Sequence, residues 1–384
     1  MIRSFLDQDL YTFTVGQAIA EKHFGVPVSY TFRDRNRSRY NQTFLNKLQD
    51  ALWDMNYLKM HTDEALYLKS LKFLNPSYVD SLQSYRFDPS EVNCFLDDDD
   101  CLNLTIKGPW ERTVYWEVPL LATISELYFK HCDTNWENDI AVQVAQLQQK
   151  SKNLANCYYA DFGTRRRRNF ETQELVVREL LNKPGFRGTS NVHLARIYGT
   201  RPIGTMSHQW IMGVSALVGL RHANKFALTE WSEVFKGDLG IALPDTFGTA
   251  ALFEDFDRYL ARLFDGVRHD SGDPFEFGEK VIAHYEKLNI DPKSKVIVFS
   301  DGLTDILGAQ LSKHFEGRIK ISLGIGTFLT NDFPNSKPLN IVIKLASCMG
   351  IPVVKLSDFI SKATGDKDAL RVAKWVFFNT PLDA

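Results

Sequence analysis

Residues 295–304, KVIVFSDGLT, join a short apolar segment to a polar loop that contains glycine. The same arrangement, followed each time by a helical pattern of apolar residues, recurs at five other segments: Cys157–Ala160, Gly185–Gly188, Ile241–Pro244, Asp265–Val267 and Ile319–Leu323. Repeated strand–loop–helix units predict parallel strands. Their distribution within residues 140–340 predicts a (β/α) barrel, in which an active site lies on the loops that follow the strands.

The flanking regions predict a second domain of α+β type. Residues 1–135 mix a helical pattern with strand-like segments, namely Asn46–Lys59 for the helix and Val28–Arg33, Leu102–Lys107 and Glu111–Glu117 for the strands. The segments LNIVIKLAS (339–347) and IPVVKLSD (351–358) predict strands that return to this domain. Residues 345–384 are therefore expected to join residues 1–135.

Composition excludes several classes of protein. The 384 residues carry 45 basic and 47 acidic side chains, a net charge of −2, so bulk binding to nucleic acid finds no support. The longest apolar run, Ile211–Leu220, is far shorter than the roughly 20 residues of a membrane span and predicts a buried helix. Five cysteines show neither CxxC nor zinc-ligand spacing, and the first residues lack the apolar core of a signal peptide. These features favour a reducing, cytoplasmic location.

The loops that follow the predicted strands contain Arg, Asp, Gly, Thr, Ser and His. Arginine supplies forked donors for phosphate oxygens, and it recurs at 165–168, 187 and 268. The carboxylates can hold a divalent ion or sugar hydroxyls, and they stand at positions 245, 270, 273 and 301. Turn formation explains the glycines and some aspartates but not the arginines. The combination predicts a phosphorylated sugar with two phosphate groups as the ligand.

Each element taken alone has a plainer interpretation. A run of four arginines is more often a solvated or RNA-contacting face, and the acidic run Asp97–Asp100 is typical of a solvated turn. The segment GIGT lacks the third glycine of a dinucleotide fingerprint. A histidine such as His208, after GTMS, is usually structural. The inference therefore depends on the set of motifs rather than on one of them.

The set resembles the nicotinate phosphoribosyltransferase family over nearly the whole chain. The segments DFGTRRR, GTSN, GTMSHQW, VRHDSGDP, FSDGL, GIGT and KPLNIVIKL occur in this order, after LDQDLYTFTVGQA near the start. The resemblance implies a partly closed (β/α) barrel joined to a sandwich-like α+β domain built from the N-terminal region and the C-terminal tail. It also implies the joining of nicotinate to phosphoribosyl pyrophosphate in pyridine nucleotide salvage, with Mg²⁺ as cofactor and ATP as co-substrate.

The same resemblance assigns roles to individual residues. It implies that ATP phosphorylates His208, that Arg165 faces the nicotinate carboxylate or the phosphates, and that Asp301 contacts ribose hydroxyls or metal. The pyridine ring would lie between Phe162 and Tyr11, with Tyr11 entering from the second subunit of a homodimer. The remaining contacts to the sugar and its phosphates would come from Arg268, Asp270, Gly324, Gly326 and Thr327. Relatives often carry an acidic residue directly after the phosphorylated histidine, whereas this chain has Gln209.

Three alternative functions remain open. Nicotinamide and quinolinate phosphoribosyltransferases share the architecture that the resemblance implies. Nicotinamide-using relatives carry an aspartate where this chain has Ser190, and a carboxylate there would repel a carboxylate substrate. Quinolinate enzymes are shorter and lack the ATP-linked histidine. The third alternative, a catalytically inactive relative, would bind RNA through its arginine run.

Overall fold

The computed structural model describes residues 1–359 and 362–380, and these residues form two sheets. The strands are β1 Pro27–Asp34, β2 Val92–Leu96, β3 Leu102–Pro109, β4 Tyr159–Asp161, β5 Phe186–Thr189, β6 Ile241–Ala242, β7 Gly266–His269, β8 Val296–Phe299, β9 Lys320–Ile325, β10 Ile341–Cys348 and β11 Ile351–Pro352. One sheet has six strands in the order β5-β4-β9-β8-β7-β6, and the other has five in the order β11-β10-β1-β3-β2. The mixed α/β fold therefore agrees with the prediction.

The six-stranded sheet is parallel throughout, and each of its strands overlaps a segment predicted from sequence. β8 pairs with β7 through Gly266↔Val296 and continues to His269↔Phe299. The two edge strands, β5 and β6, do not pair with each other over the described residues, so the barrel is only partly closed. The carboxyl ends of these strands lie together, which places their following loops at one edge.

The five-stranded sheet is antiparallel and combines both ends of the chain. β10 pairs with β1 from Val28↔Cys348 to Asp34↔Ile341. The predicted return of residues 339–347 to the first domain is therefore confirmed. Of the predicted tail, 345–384, residues 360–361 and 381–384 lie outside the described residues. The domain boundaries themselves stay a prediction.

Seventeen α-helices cover these sheets or connect them within the described ranges. They are α1 Leu10–Lys22, α2 Gln42–Met55, α3 Thr62–Ser70, α4 Pro76–Ser84, α5 Trp110–Thr113, α6 Glu117–His131, α7 Ile140–Asn153, α8 Phe170–Leu180, α9 Val192–Ile197, α10 His208–Val218, α11 Ala223–Phe235, α12 Thr249–Asp255, α13 Arg258–Leu263, α14 Pro274–Lys287, α15 Asp305–His314, α16 Thr327–Thr330 and α17 Lys367–Phe378. The apolar run at 211–220 lies largely in α10, which is buried along its first eight residues. No helix among the described residues has both the length and the apolar character needed to cross a bilayer.

One predicted strand is wrong, and the strand predicted at 351–358 is confirmed only at Ile351–Pro352. Glu111–Glu117 contains the end of α5, a turn and the first residue of α6 instead of a strand. Trp110 and Val114 stand four residues apart and are both almost fully buried, which a helical turn achieves because it brings them to one face. The turn predicted at Asp97–Asp100 is confirmed, since the Asp97 carboxylate accepts from the backbone N–H groups of Asp99 and Cys101.

Candidate active site

His208 begins α10 and is surrounded by side chains from the loops that follow β6 and β7. Its Nε2 atom lies 2.9 Å from Oδ2 of Asp270, and its Nδ1 atom lies 3.0 Å from the hydroxyl of Thr246. Oδ1 of Asp245 is 3.5 Å from Nε2. Segments that are distant along the chain therefore converge on one buried imidazole.

Two cations neutralise the carboxylates beside this ring. Nζ of Lys355 lies 2.8 Å from Oδ2 of Asp245, and Nη2 of Arg268 donates to Oδ1 of Asp270 at 2.7 Å. Burial raises the pKa of Asp270, but Arg268 and the hydrogen bond with His208 outweigh it and hold that pKa well below its usual value. Burial, and then the charge of Lys355, lower the pKa of His208 to about 4. At neutral pH the ring is therefore neutral, so Nε2 donates to the carboxylate and Nδ1 keeps the lone pair.

This cluster does not fit a magnesium ion. His208, Asp245 and Asp270 each place one possible ligand atom within 4.8 Å of the others. Mg²⁺ prefers an octahedron of oxygen ligands, however, and here a nitrogen lies at the centre while the Lys355 ammonium already contacts Asp245. Asp301 fits the ion better, because 33% of its side chain is exposed at a cavity and Lys362 contacts only one of its two oxygens, Oδ2, at 2.6 Å. A single carboxylate that shares a hydrated ion with substrate phosphates is the usual arrangement for Mg²⁺.

A cavity of about 110 Å³ lies beside the cluster, and its lining includes aromatic side chains, as expected for a site that binds an aromatic ring. Its lining includes Tyr11 from α1, Phe162 from the loop after β4, and Arg165. The same chain supplies Tyr11, which differs from the prediction that it enters from a second subunit. The reason is that the N–H of Leu10 donates to the Ser190 carbonyl at 2.8 Å, which joins the start of α1 to the barrel.

The polar wall of this cavity contains Asp9, Ser190 and the guanidinium groups of Arg165 and Arg268. Nε of Arg165 is 3.5 Å from Asp9, and its Nη1 is 3.6 Å from Glu117. Both distances exceed those of ordinary hydrogen bonds. Arg165 therefore keeps donors for a further anion. With one carboxylate and two guanidinium groups, the charged lining favours a negative ligand.

A second cavity, of about 270 Å³, lies at the ends of β8 and β9. Its lining includes Arg166, Asp301, Gly326 and Thr327, as expected for a phosphate site. Burial, and then the charges of neighbouring arginines, lower the pKa of Arg166 to about 10, so it remains a cation at neutral pH. Over the described residues, no carboxylate lies within ion-pair distance of Arg166. This partly buried positive charge is available to a phosphate.

Gly324 does not line that cavity, although the resemblance implied a phosphate contact. It lies inside β9, under the ring of Phe162. A Cβ atom at Gly324 would be 2.3 Å from Cδ2 of Phe162. Glycine at this position therefore allows the aromatic ring to lie against the strand.

The arginine run is directed inward, so the plainer interpretation of the run taken alone, a solvated or RNA-contacting face, does not hold. Arg165 and Arg166 line the two cavities. Arg167 donates twice to Asp7, at 2.7 and 2.9 Å, and Arg168 donates to Ser336 at 2.8 Å. Arg167 and Arg168 are both 0% exposed. The first two can meet ligands, and the other two hold neighbouring segments in place.

Some residues predicted for the site lie outside the His208 cluster, and some residues of the site were not predicted. Asp273 caps α14 by accepting from Phe275 and Glu276, and Arg187 lies over the ring of Tyr158, so neither belongs to the cluster. Gln209 is directed away from the His208 ring, toward Tyr30, Trp110 and Glu117. Sequence patterns did not identify three further residues of the site, Asp9, Thr246 and Lys355. Only Asp9 had a local signal, its place beside Tyr11 in LDQDLYTF.

The fold and these cavities define an enzyme of the glycosyl-transferring class, with a place for an anionic ring beside a place for a sugar phosphate. Comparison with known proteins makes the class specific. The model of the Nicotinate phosphoribosyltransferase (NAPRTase) family matches residues 157–381, and the model of the NAPRTase N-terminal domain matches residues 6–125. The chain belongs to the nicotinate phosphoribosyltransferase family, which confirms the resemblance seen in its motifs.

Relatives match along the full length of the chain. The nicotinate phosphoribosyltransferase of Methanococcoides burtonii is 46% identical and covers 100% of this chain and 99% of its own. That of Chromohalobacter salexigens is 40% identical and covers 98% of each. The crystal structure of nicotinate phosphoribosyltransferase from Porphyromonas gingivalis has a TM-score of 0.94 at 39% identity, over 97% of this chain and 99% of that one. The structure from Vibrio cholerae has a TM-score of 0.93 at 36% identity, over 99% and 94%.

Proposed function

We propose that the chain joins nicotinate to phosphoribosyl pyrophosphate, giving nicotinate mononucleotide and pyrophosphate, and that ATP drives the reaction through a phosphohistidine at His208. The observation that carries the proposal is the position of Arg268. This side chain lines the ring cavity and also donates to Asp270, the carboxylate that bonds to His208. One arginine thus connects the place for the ring to the histidine.

In the transfer step the pyridine nitrogen forms a bond to C1 of the ribose while the bond from C1 to pyrophosphate breaks. The electron pair of that bond leaves with pyrophosphate, so positive charge develops on the sugar and negative charge on the leaving group. Arg166 and Arg268 are fixed cations that can stabilise the leaving group. Tyr11 and Phe162 can hold the two faces of the pyridine, and Arg165 can pair with its carboxylate. No nucleophile from the enzyme is required.

Magnesium, when bound, supplies further positive charge to the pyrophosphate, and Asp301 is the residue that would hold it. ATP enters as a second phosphate-bearing substrate. Phosphoribosyl pyrophosphate and ATP both suit the phosphate cavity. It combines Arg166, which has no carboxylate partner among the described residues, with the Asp301 carboxylate and the backbone of Gly326 and Thr327.

In the coupling step the lone pair on Nδ1 of His208 attacks the γ-phosphorus of ATP. A nitrogen–phosphorus bond forms, and the bond to the bridging oxygen breaks with its electron pair, which leaves on ADP. The proton on Nε2 stays hydrogen-bonded to Asp270, which holds the ring in place. Water then hydrolyses the phosphohistidine to phosphate and restores the neutral imidazole. The neutral, buried and oriented state of His208 supports this role.

Product analysis tests the proposal. The purified protein is incubated with phosphoribosyl pyrophosphate and with nicotinate, nicotinamide or quinolinate, each with and without ATP. We expect nicotinate mononucleotide, with ADP formed in the presence of ATP, and acid-labile label on the protein from γ-labelled ATP. H208A should lose the label and retain only slow nucleotide formation. H222A, which changes an exposed histidine, should keep both the label and the wild-type rate of nucleotide formation. If nucleotide formed from quinolinate or nicotinamide and not from nicotinate, the protein would be a quinolinate or nicotinamide phosphoribosyltransferase instead.

The homodimer implied by the resemblance is a separate proposal. Tyr11 already lies in the cavity of its own chain, so the ring site does not depend on a second subunit. Light scattering coupled to size exclusion measures the mass directly. A mass of one chain together with full activity would contradict the homodimer.

A further inference from the structure

The C-terminal tail forms one side of the His208 cluster. The N–H of Leu356 donates at 2.7 Å to the carbonyl of Thr246, the residue whose hydroxyl meets Nδ1 of the histidine. The hydroxyl of Ser357 lies 2.9 Å from that of Ser271, which in turn donates to Asp245 at 2.7 Å. These contacts hold the backbone of Lys355 against the loops that carry the carboxylates.

The side chain of Lys355 enters the cluster itself. It is 4% exposed, and its ammonium lies 2.8 Å from Oδ2 of Asp245 and 3.7 Å from Oδ2 of Asp270. The other oxygen of Asp245 has no hydrogen-bond partner within the described part of the chain and lies 3.5 Å from Nε2 of His208. Buried charges of one sign are costly without a counter-charge. One ammonium therefore serves both carboxylates that flank the imidazole.

We propose that Lys355 is a positioning residue for His208: its ammonium is the counter-ion of Asp245 and adds to Arg268 at Asp270, so the ring beside them stays neutral and keeps one orientation. This inference rests on the proposed phosphohistidine. Without the ammonium, Asp270 keeps Arg268 but Asp245 loses the cation that pairs with it, so the carboxylates attract a proton to the ring, and an imidazolium has no lone pair for phosphorus. The lowering of the His208 pKa, to which Lys355 contributes after burial, acts in the same direction.

Other charged groups face the histidine from the opposite side. A small cavity there is lined by His208 together with Glu117, Arg165, Arg268 and Lys344. Burial lowers the pKa of Lys344 to about 8, so this group titrates on the alkaline side of neutrality. A profile measured between about pH 4 and 7 therefore reports the histidine and its carboxylates rather than Lys344.

The test compares K355M, which removes the charge, with K355R, which keeps it. The initial rate of acid-labile labelling from γ-labelled ATP is measured against pH for the wild type and both variants. K355M should label about 100-fold more slowly at pH 6, a typical loss for one fixed electrostatic group. Its acid midpoint should also move to higher pH, while that of K355R stays near the wild-type value. The double variant K355M/D245N removes one charge of each sign and should return the midpoint toward that of the wild type.

The outcomes separate the two proposals. A K355M midpoint equal to that of the wild type overturns the positioning role, because a merely structural lysine changes the amount of folded protein but not the titration. A wild-type protein that forms nucleotide without any histidine label overturns the phosphohistidine instead. If K355M does not fold, the comparison is made between D245N and K355M/D245N. Removal of Lys355 must still raise the midpoint there, and an unchanged midpoint overturns the inference.

Discussion

The hydroxyl of Ser190 donates a hydrogen bond of 2.6 Å to Oδ1 of Asp9, and both side chains are buried at the wall of the ring cavity. The residues are 181 positions apart, one before α1 and the other after β5. Oδ2 of Asp9 lies 3.5 Å from Arg165. The N-terminal segment therefore contributes directly to the charge that an incoming ring meets.

This pair determines the effect of S190D. A second carboxylate beside Asp9 would change the charged lining from net positive to neutral and would place a negative charge where it repels the nicotinate carboxylate. Because two close carboxylates cannot both ionise freely, the variant should also lose stability. We expect kcat/KM for nicotinate to fall by at least about 100-fold and the ratio of nicotinamide to nicotinate use to rise. Steady-state kinetics with both substrates measure this.

S190A is the control for S190D, since it removes the hydroxyl and adds no charge. It should lower activity with both substrates by a similar factor. An unchanged substrate ratio in S190D would show that charge at this wall does not select the ring.

The acid side of the stability profile should depend on His208. Its pKa is about 4 in the folded protein and about 6.5 in an unfolded chain. Between these values the unfolded chain binds a proton that the folded chain excludes, so stability falls as pH decreases through this window. The loss is of the order of 3 kcal/mol below pH 4 and is absent above about pH 7.

Denaturant unfolding of wild type and H208Q at pH 7 and pH 4.5 measures this effect. Glutamine removes the titration and keeps a donor for Asp270. The wild type should lose more stability between the two pH values than H208Q does. Equal losses in the two proteins would mean that His208 is already protonated in the folded state.

Much of the fold is readable from the sequence because its signals are local. Each parallel strand is a short apolar segment bounded by a polar loop, and β8 differs from the predicted Lys295–Phe299 by one residue. The strand predicted at Glu111–Glu117 was wrong because Trp110 and Trp116 bury their rings on either side of a helical turn. Single-sequence patterns do not show what a residue packs against. β2 was expected only as a strand before the Asp97–Asp100 turn and was given no bounds, because its apolar residues flank the polar Asn93 and it forms a sheet edge.

The site was predictable to a smaller extent. His208, Asp270, Phe162 and Arg165 stood in motifs and lie together. Lys355 stands within an apolar strand-like segment, and its role depends on where the tail returns. The division of the arginine run into ligand-facing and structural members also has no local signal, because all four residues look alike in the sequence. Long-range packing decides both.

Asp301 should be needed for phosphoribosyl pyrophosphate. It lies at the phosphate cavity, where its carboxylate is 2.6 Å from Lys362. D301N removes the charge that can hold ribose hydroxyls or Mg²⁺, so kcat/KM for phosphoribosyl pyrophosphate should fall by a factor equivalent to about 3 kcal/mol. Asp332, which lines the same cavity and pairs with Lys150 at 2.7 Å, provides the matched control D332N. Similar small losses in the two variants would place Asp301 among the turn residues.

The two glycines at the end of β9 should have opposite effects on the two substrates. In G324A the new methyl group would lie 2.3 Å from the Phe162 ring, which must then move into the ring cavity. The KM for nicotinate should rise at least about tenfold, with little change in the KM for phosphoribosyl pyrophosphate. In G326A the methyl group would lie 3.2 Å from the Phe162 carbonyl and beside the phosphate cavity, so the reverse pattern is expected. If both variants raise both KM values equally, the ring site and the phosphate site are not separate as the cavities indicate.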